Sequence, residues 1–378
     1  MRILYVIENI FFGGGESVFA QLINSLGKEG FQVWAACRSG GAFEQRVSGR
    51  AKIIPFDMRG ALSLSKVAGL ASIIRQNKID LVHSQGGRAD FFARIAAKLS
   101  GVPVVSTIAA PVEEYEVGRL RKAVYISLDR FSEKFVSRFI VVSEALRRVL
   151  TEKHRIPEDK IVKVHNGIDA ADYASRPEVI ARLREEFGVK TGAKLIAVVG
   201  RLAQVKGIGY FIQAIKQMTA DDRQRNICAL IVGDGPLRGE LEDLVERLGL
   251  KDIVRFTGFR NDIKDILSAL DILVLPSIRE GQPMVVLEAM ASGLVVVASR
   301  IEGIEEVIED GVTGILAAAK SPAALAREIV GVLGDDEASE RIRRQAKASV
   351  EERFDLEDMV AKHQDIYTQL LKKPAGMT

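Results

Sequence analysis

The sequence predicts an α/β protein made of two doubly wound, Rossmann-like domains. Three observations carry that reading. The chain has 378 residues, more than one typical domain needs. Short apolar, β-branched runs alternate with amphipathic stretches along most of it. The alternation also restarts once, after the turn-rich connector Asn166-Gly167-Ile168-Asp169.

In order along the chain, strands are predicted at residues 2–8, 32–37, 52–55, 80–83, 103–107, 139–142 and 161–164. Helices such as 17–28 and 64–76 fall between them. After the connector, strands are predicted at 194–199, 227–232, 253–256, 272–275, 295–298 and 314–316, again divided by helices. The chain closes on helices at 322–333, 337–350 and 356–371. Continuous apolar runs suit parallel strands covered by helices on both faces. The predicted division is residues 1–165 for a first domain, 166–354 for a second, and 355–378 for a C-terminal helix that returns to the first. Open parallel sheets bind ligands beyond the carboxyl ends of their strands, so the ligand is expected in a cleft where the two domains face each other.

A hydrophobic content of 47% is enough for full cores. The only cysteines, Cys37 and Cys228, have no second Cys or His at ligand spacing, which argues against a disulfide framework and against a zinc site. The apolar run after Arg2 is too short for a signal-peptide core or a membrane span, so a cytoplasmic protein is expected. Charge is uneven. Residues up to His165 hold 25 Lys and Arg against 16 Asp and Glu, a net +9, and the rest hold 28 against 34, a net −6. A basic first half suits an anionic partner there, either a phosphorylated acceptor or peripheral contact with the inner face of an anionic membrane; plain solvated charge explains the same count. The stretch from Gly118 to Ile126 interleaves cations with apolar residues and could rest on anionic lipid, although packing of an ordinary amphipathic helix accounts for it equally.

The most informative segment runs from Pro276 to Gly293. It follows the strand at 272–275 and leads into a helix whose first turn is expected near Pro283, where a missing N–H costs nothing. Gln282, Met284 and Val285 then offer backbone N–H groups at a helix start, a place suited to phosphate oxygens. Glu280 stands in the loop before that helix, next to Gly281, and Glu288 lies inside it. Carboxylates there can accept from sugar hydroxyls. A second cluster, Gly200-Arg201-Leu202-Ala203-Gln204-Val205-Lys206-Gly207, follows the strand at 194–199 and puts two cations on the rim of the same sheet, where a diphosphate would lie. A third, Phe12-Gly13-Gly14-Gly15-Glu16, joins the first strand to the first helix and lets backbone approach a ligand.

Two glutamates eight positions apart, the first followed by Gly and the second by Ala-Met-Ala-x-Gly, resemble the signature of the retaining glycosyltransferases of family four, also called group 1. That resemblance runs from about residue 12 to 314 and implies the two-domain B-type fold. It implies that Glu280 contacts the donor sugar, that Glu288 takes the ribose hydroxyls, and that Arg201 and Lys206 clamp the diphosphate. Gly14 and Gly15 would face the donor phosphates. Gly233-Asp234-Gly235-Pro236 resembles a turn of the nucleotide domain, and the segment ending at Phe259 resembles the one whose backbone reads the base. The implied activity is transfer of a hexose or N-acetylhexosamine from a nucleotide diphosphate sugar, most often UDP-linked, to a glycan, lipid-linked or small-molecule acceptor with retention of configuration. No metal or other cofactor is expected, since no convincing Asp-x-Asp site is present; the positive charge would come from Arg201, Lys206 and the helix start. The chain departs from the family at Ile108-Ala109-Ala110, where a His commonly approaches the donor sugar. His83 matches an earlier family His, and a place on the acceptor side stays open for it beside a purely local role.

A nucleotide-sugar epimerase or a phosphorylase could share the frame, but the paired glutamates and clamp favour transfer to an external acceptor. A dinucleotide-dependent dehydrogenase is a rival of another class. Neither glycine cluster completes G-x-G-x-x-G, and the strand at 32–37 ends in Arg38 and Ser39 where a ribose-binding acid is expected.

Overall fold

The computed structural model describes residues 1–8, 13–26, 30–47, 49–60, 63–111, 118–174, 176–219 and 226–372; Phe12 of the first glycine cluster lies outside them. The chain forms two compact units, Met1–Gly167 together with Leu356–Thr378, and Ile168–Asp355.

The first unit runs β1 (Arg2–Ile7), α1 (Gly14–Leu26), β2 (Gln32–Cys37), α2 (Ala42–Val47), β3 (Lys52–Pro55), α3 (Leu64–Gln76), β4 (Leu81–Gln85), α4 (Gly87–Ser100), β5 (Val104–Ile108), α5 (Arg119–Glu133), β6 (Arg138–Val141), α6 (Glu144–Arg148) and β7 (Ile161–Lys163). Its seven parallel strands lie in the order β3-β2-β1-β4-β5-β6-β7. Leu4, Val6, Trp34 and Val82 meet Leu70, Phe92 and Ala93 in one core on one side of that sheet. Because β1 is central and buried on both faces, its apolar run from Ile3 to Ile7 is unbroken, which is the signal the sequence carried, whereas the equally buried β4 ends in the polar residues His83, Ser84 and Gln85.

The second unit runs α7 (Pro177–Glu186), β8 (Lys194–Val199), α8 (Ile208–Met218), β9 (Ile227–Val232), α9 (Arg238–Arg247), β10 (Val254–Gly258), α10 (Ile263–Ala269), β11 (Ile272–Leu275), α11 (Met284–Ala291), β12 (Val295–Ser299), α12 (Glu302–Glu305), β13 (Ile315–Ala317), α13 (Pro322–Gly334) and α14 (Asp336–Arg353). Its six parallel strands are ordered β10-β9-β8-β11-β12-β13. Helices α13 and α14 start where the sequence says they must. Ser321 caps Ala324 N–H ahead of Pro322, and Asp335 caps Ala338 N–H.

A last helix, α15 (Leu356–Lys372), belongs to the first unit. It buries Met359, Val360, Ile366 and Tyr367, and it touches α1. Both cysteines are buried free thiols. Among the described residues no helix is long and apolar enough to cross a membrane.

Strand order reverses between β1 and β4 in one sheet and between β8 and β11 in the other. At such a point the two following loops diverge to opposite faces and leave a crevice at the carboxyl ends of the strands.

Candidate active site

In the second unit, the loops after β8 and β11 meet at the strand reversal. Ile278 N–H donates to Val205 O at 2.8 Å, which ties one loop to the other. Lys206 Nζ then donates to Glu280 Oε1 at 2.8 Å, and the Ser277 hydroxyl donates to the same oxygen at 2.6 Å. These are charge-assisted bonds in a sheltered place: the Lys206 side chain keeps 27% of its exposure, Glu280 10%, and Ser277 none. Arg201 stands exposed on the same loop as Lys206, five positions earlier.

This approach is possible because of what two positions lack. A Cβ on Gly207 would fall 2.1 Å from Pro276 O, and Gly207 also adopts φ +62° to start α8. A Cβ on Gly303 would fall 2.1 Å from Glu280 O, so the backbone carrying Glu280 lies directly against the start of α12. The neighbouring strand ends close in the same way, with Leu202 N–H donating to Asp234 O and Gly233 N–H to Gly258 O. Phe259, next along, is 59% exposed. The ends of β8, β9, β10 and β11 therefore form one continuous rim.

Helix α11 begins at Met284, with Pro283 as its N-cap (φ −74°, ψ 117°), one residue later than the sequence suggests. An extended cap residue needs no N–H of its own, so proline serves there as well as at the first helical position. Gln282, Pro283 and Met284 are buried, while Gly281 and Val285 are half-buried. The first turn of any helix leaves backbone N–H groups without intrahelical partners, which gives this end of the crevice a positive field. Glu288, half-buried in α11, accepts from the Tyr173 hydroxyl at 3.3 Å.

In the first unit, α1 begins at Gly14, three residues before the predicted start. Glu16 reaches back to accept from Gly13 N–H at 3.0 Å, half of a capping box since Gly13 has no side chain to return the bond, and Ser17 N–H donates to Gly13 O as the first helical bond. Burial raises the Glu16 carboxyl above its ordinary value. Gly15 sits over the end of β4, where an added Cβ would come within 2.7 Å of Gln85 Nε2. Gly14 and Gly15 thus occupy the strand reversal of the first sheet. His83 does not join them at the surface. It is fully buried, with Nδ1 hydrogen-bonded to Tyr367 OH at 2.7 Å and Nε2 to Thr107 Oγ1 at 2.8 Å. Burial pushes its pKa well below the ordinary histidine value, so the ring is neutral.

Sequence reading alone gave Ser277 and Tyr173 no role. Ser277 could have been found from its spacing, three residues before Glu280. Tyr173 lies 115 positions from Glu288 and sends no local signal.

Comparison with known proteins fits this geometry. The sequence pattern described as glycosyl transferases group 1 matches residues 179–349, and that described as glycosyltransferase family 4 matches residues 12–172. The UDP-Gal:alpha-D-GlcNAc-diphosphoundecaprenol alpha-1,3-galactosyltransferase of Escherichia coli is 27% identical over 98% of this chain and 97% of its own. An uncharacterized glycosyltransferase of Methanocaldococcus jannaschii is 31% identical over 78% of this chain and 76% of its own. The solved structure of Anabaena HepE in complex with UDP-glucose superposes with a TM-score of 0.86 at 24% identity, covering 98% of this chain and 100% of that one, a likeness of fold. With both patterns matched and a relative of that identity over three quarters of its length, the chain belongs to the group 1 glycosyltransferases of family four.

Proposed function

We propose that this glycosyltransferase moves a hexose or N-acetylhexosamine from a UDP-linked sugar to a lipid-linked or cell-envelope glycan, with retention of anomeric configuration. The observation that carries the reading is the Lys206–Glu280 pair, 2.8 Å apart at the strand reversal of the second unit. Breaking the bond from anomeric carbon to diphosphate leaves negative charge on the phosphate and positive charge on the sugar, so catalysis needs a cation and an acid side by side. In this reading Lys206 exchanges Glu280 for the diphosphate, joined by Arg201 and by the backbone around Gly281, Gln282, Pro283, Met284 and Val285. Glu280, still held by Ser277, turns to the sugar hydroxyls. Glu288, steadied by Tyr173, takes the ribose, and Phe259 lies beside the base. In the first unit, the backbone N–H groups at Gly14 and Gly15 donate to phosphate oxygens. His83, with both nitrogens engaged, serves the packing of α15 rather than the acceptor. Since protein cations neutralise the leaving group, no metal is needed, and turnover is expected to persist in a chelator. The acceptor class is supported by the Escherichia coli relative, whose acceptor is GlcNAc-diphosphoundecaprenol.

Arg201→Ala or Lys206→Ala is expected to cost on the order of 10²-fold in turnover. UDP at 100 times its dissociation constant is expected to stabilise the wild type by about 2.7 kcal/mol in thermal unfolding, against a panel of other nucleoside diphosphates. Near-normal turnover of either variant would reject the clamp. Equal stabilisation by every diphosphate in the panel would reject uridine as the base.

A further inference from the structure

The carboxylate of Glu288 is held from outside its own helix. A short 3₁₀ turn, Ala170–Tyr173, follows the connector at 166–169 and opens on Asp169, whose side chain accepts from Ala171 N–H at 3.1 Å. The turn packs on α11 and brings the Tyr173 hydroxyl to Glu288 Oε1 at 3.3 Å. Two ion pairs tie this stretch to α10: Lys264 bonds Asp172 at 2.6 Å, and Arg176 bonds Asp265 at 2.5 Å. The Lys264 ammonium also lies 4.7 Å from the centre of the Tyr173 ring, an attraction that keeps the ring in one orientation. Tyr173 is buried, at 6% exposure. Phenylalanine would fill the same space, and a buried hydroxyl is costly unless it is bonded, so the bond to Glu288 gives this hydroxyl its reason.

We propose that Tyr173 is a positioning residue that makes Glu288 read both hydroxyls of the donor ribose, so that a ribonucleoside diphosphate sugar is taken and its 2′-deoxyribonucleoside counterpart is selected against; this rests on the reading of Glu288 as the ribose contact. Glu288 lies four residues past Met284, about 6 Å along the axis from the helix start where that reading puts the diphosphate. A carboxylate offers two coplanar oxygens, and a vicinal diol offers two donors to meet them. One hydroxyl can be met by a carboxylate that swings on its side-chain torsions. Two can be met together only when the carboxylate plane is fixed, which costs rotamer freedom unless the protein itself already holds it. Tyr173 supplies that hold at Oε1, and an ionised oxygen has lone pairs for a further donor beside it. Removal of the 2′-hydroxyl then leaves a desolvated carboxylate oxygen short of a donor, and that asymmetry is what selects.

The test is isothermal titration calorimetry of the full chain with UDP and with 2′-deoxy-UDP, in the wild type, in Tyr173→Phe, which keeps the ring, and in Glu288→Ala. The wild type should bind UDP about tenfold or more tighter than 2′-deoxy-UDP. Tyr173→Phe should weaken UDP by about threefold or more and leave 2′-deoxy-UDP within about twofold of its wild-type affinity, so the ratio narrows. Glu288→Ala should bind the two ligands alike. A wild type that discriminates while Tyr173→Phe keeps the full ratio overturns the proposal and leaves the ribose contact standing. Equal losses for both ligands in Tyr173→Phe mark the hydroxyl as structural and overturn it too. Failure of the wild type to discriminate, or of Glu288→Ala to abolish the discrimination, removes the ribose contact itself and the proposal with it. A wild type that binds neither diphosphate removes the uridine reading on which both rest.

Discussion

Each unit reverses its strand order once, yet the two reversals hold opposite kinds of polar group. In the second unit, Lys206 and Glu280 meet where solvent still reaches them. In the first, His83, Tyr5 and Tyr367 form a chain of hydrogen bonds from which solvent is excluded, and helix α15 closes it. An ion pair that solvent can enter is able to trade partners with a ligand. A neutral network sealed under a helix has no partner to trade, so it fixes α15 in place. The same topology therefore yields one crevice suited to chemistry and one polar cluster suited to architecture, and access to water is what separates them.

The largest effect expected from that contrast is at Glu280. Glu280→Gln should lower turnover by about 10²-fold or more while leaving UDP binding and the melting temperature near their wild-type values, because the acid is read as acting on the sugar and not on the phosphates. A parallel loss of stability would make Glu280 a structural residue and erase the contrast. The next effect lies in the first unit. Tyr367→Phe removes a hydroxyl bonded to both His83 and Tyr5 and leaves buried polar groups unpaired, each costing about 1–3 kcal/mol. Urea unfolding should show that loss with KM unchanged. Unaltered stability would mean that the network does not hold α15.

How much of this was legible in the sequence follows the same divide. The strands β2, β8, β9 and β11 coincide with the predicted runs, because strands covered on both faces must be continuously apolar, and the short edge strand β3 coincides as well although none of its residues is buried. The crevice was legible in its parts. Each loop follows a recognisable strand, and the strand order needed to join Lys206 to Glu280 across 74 positions is what a doubly wound sheet supplies. The Tyr367–His83 bond spans 284 positions and joins a helix to the middle of a strand, so no periodicity announces it.

The mildest test concerns His363, whose ring is 5.8 Å from that of His83 in the same sealed cluster. Burial lowers its pKa from 6.5 to about 4, while its Nδ1 bonds to Met359 O. The folded state thus holds a neutral imidazole, and between pH 6.5 and 4 the unfolded chain binds the proton first. Stability from this group is complete above pH 6.5 and drains as the pH falls, by about 2 kcal/mol at pH 5. Asp90 works the other way. Its buried carboxyl is raised to about 6, so below that pH the folded state takes up the proton first and gains. Comparing wild type with His363→Leu, which keeps the side chain apolar and near the same size, isolates the histidine. Unfolding midpoints at pH 7 and pH 5 should differ more for the wild type than for the variant by that amount. Identical slopes would mean that water reaches His363, and the seal that distinguishes the first unit's cluster from the second unit's crevice would not hold.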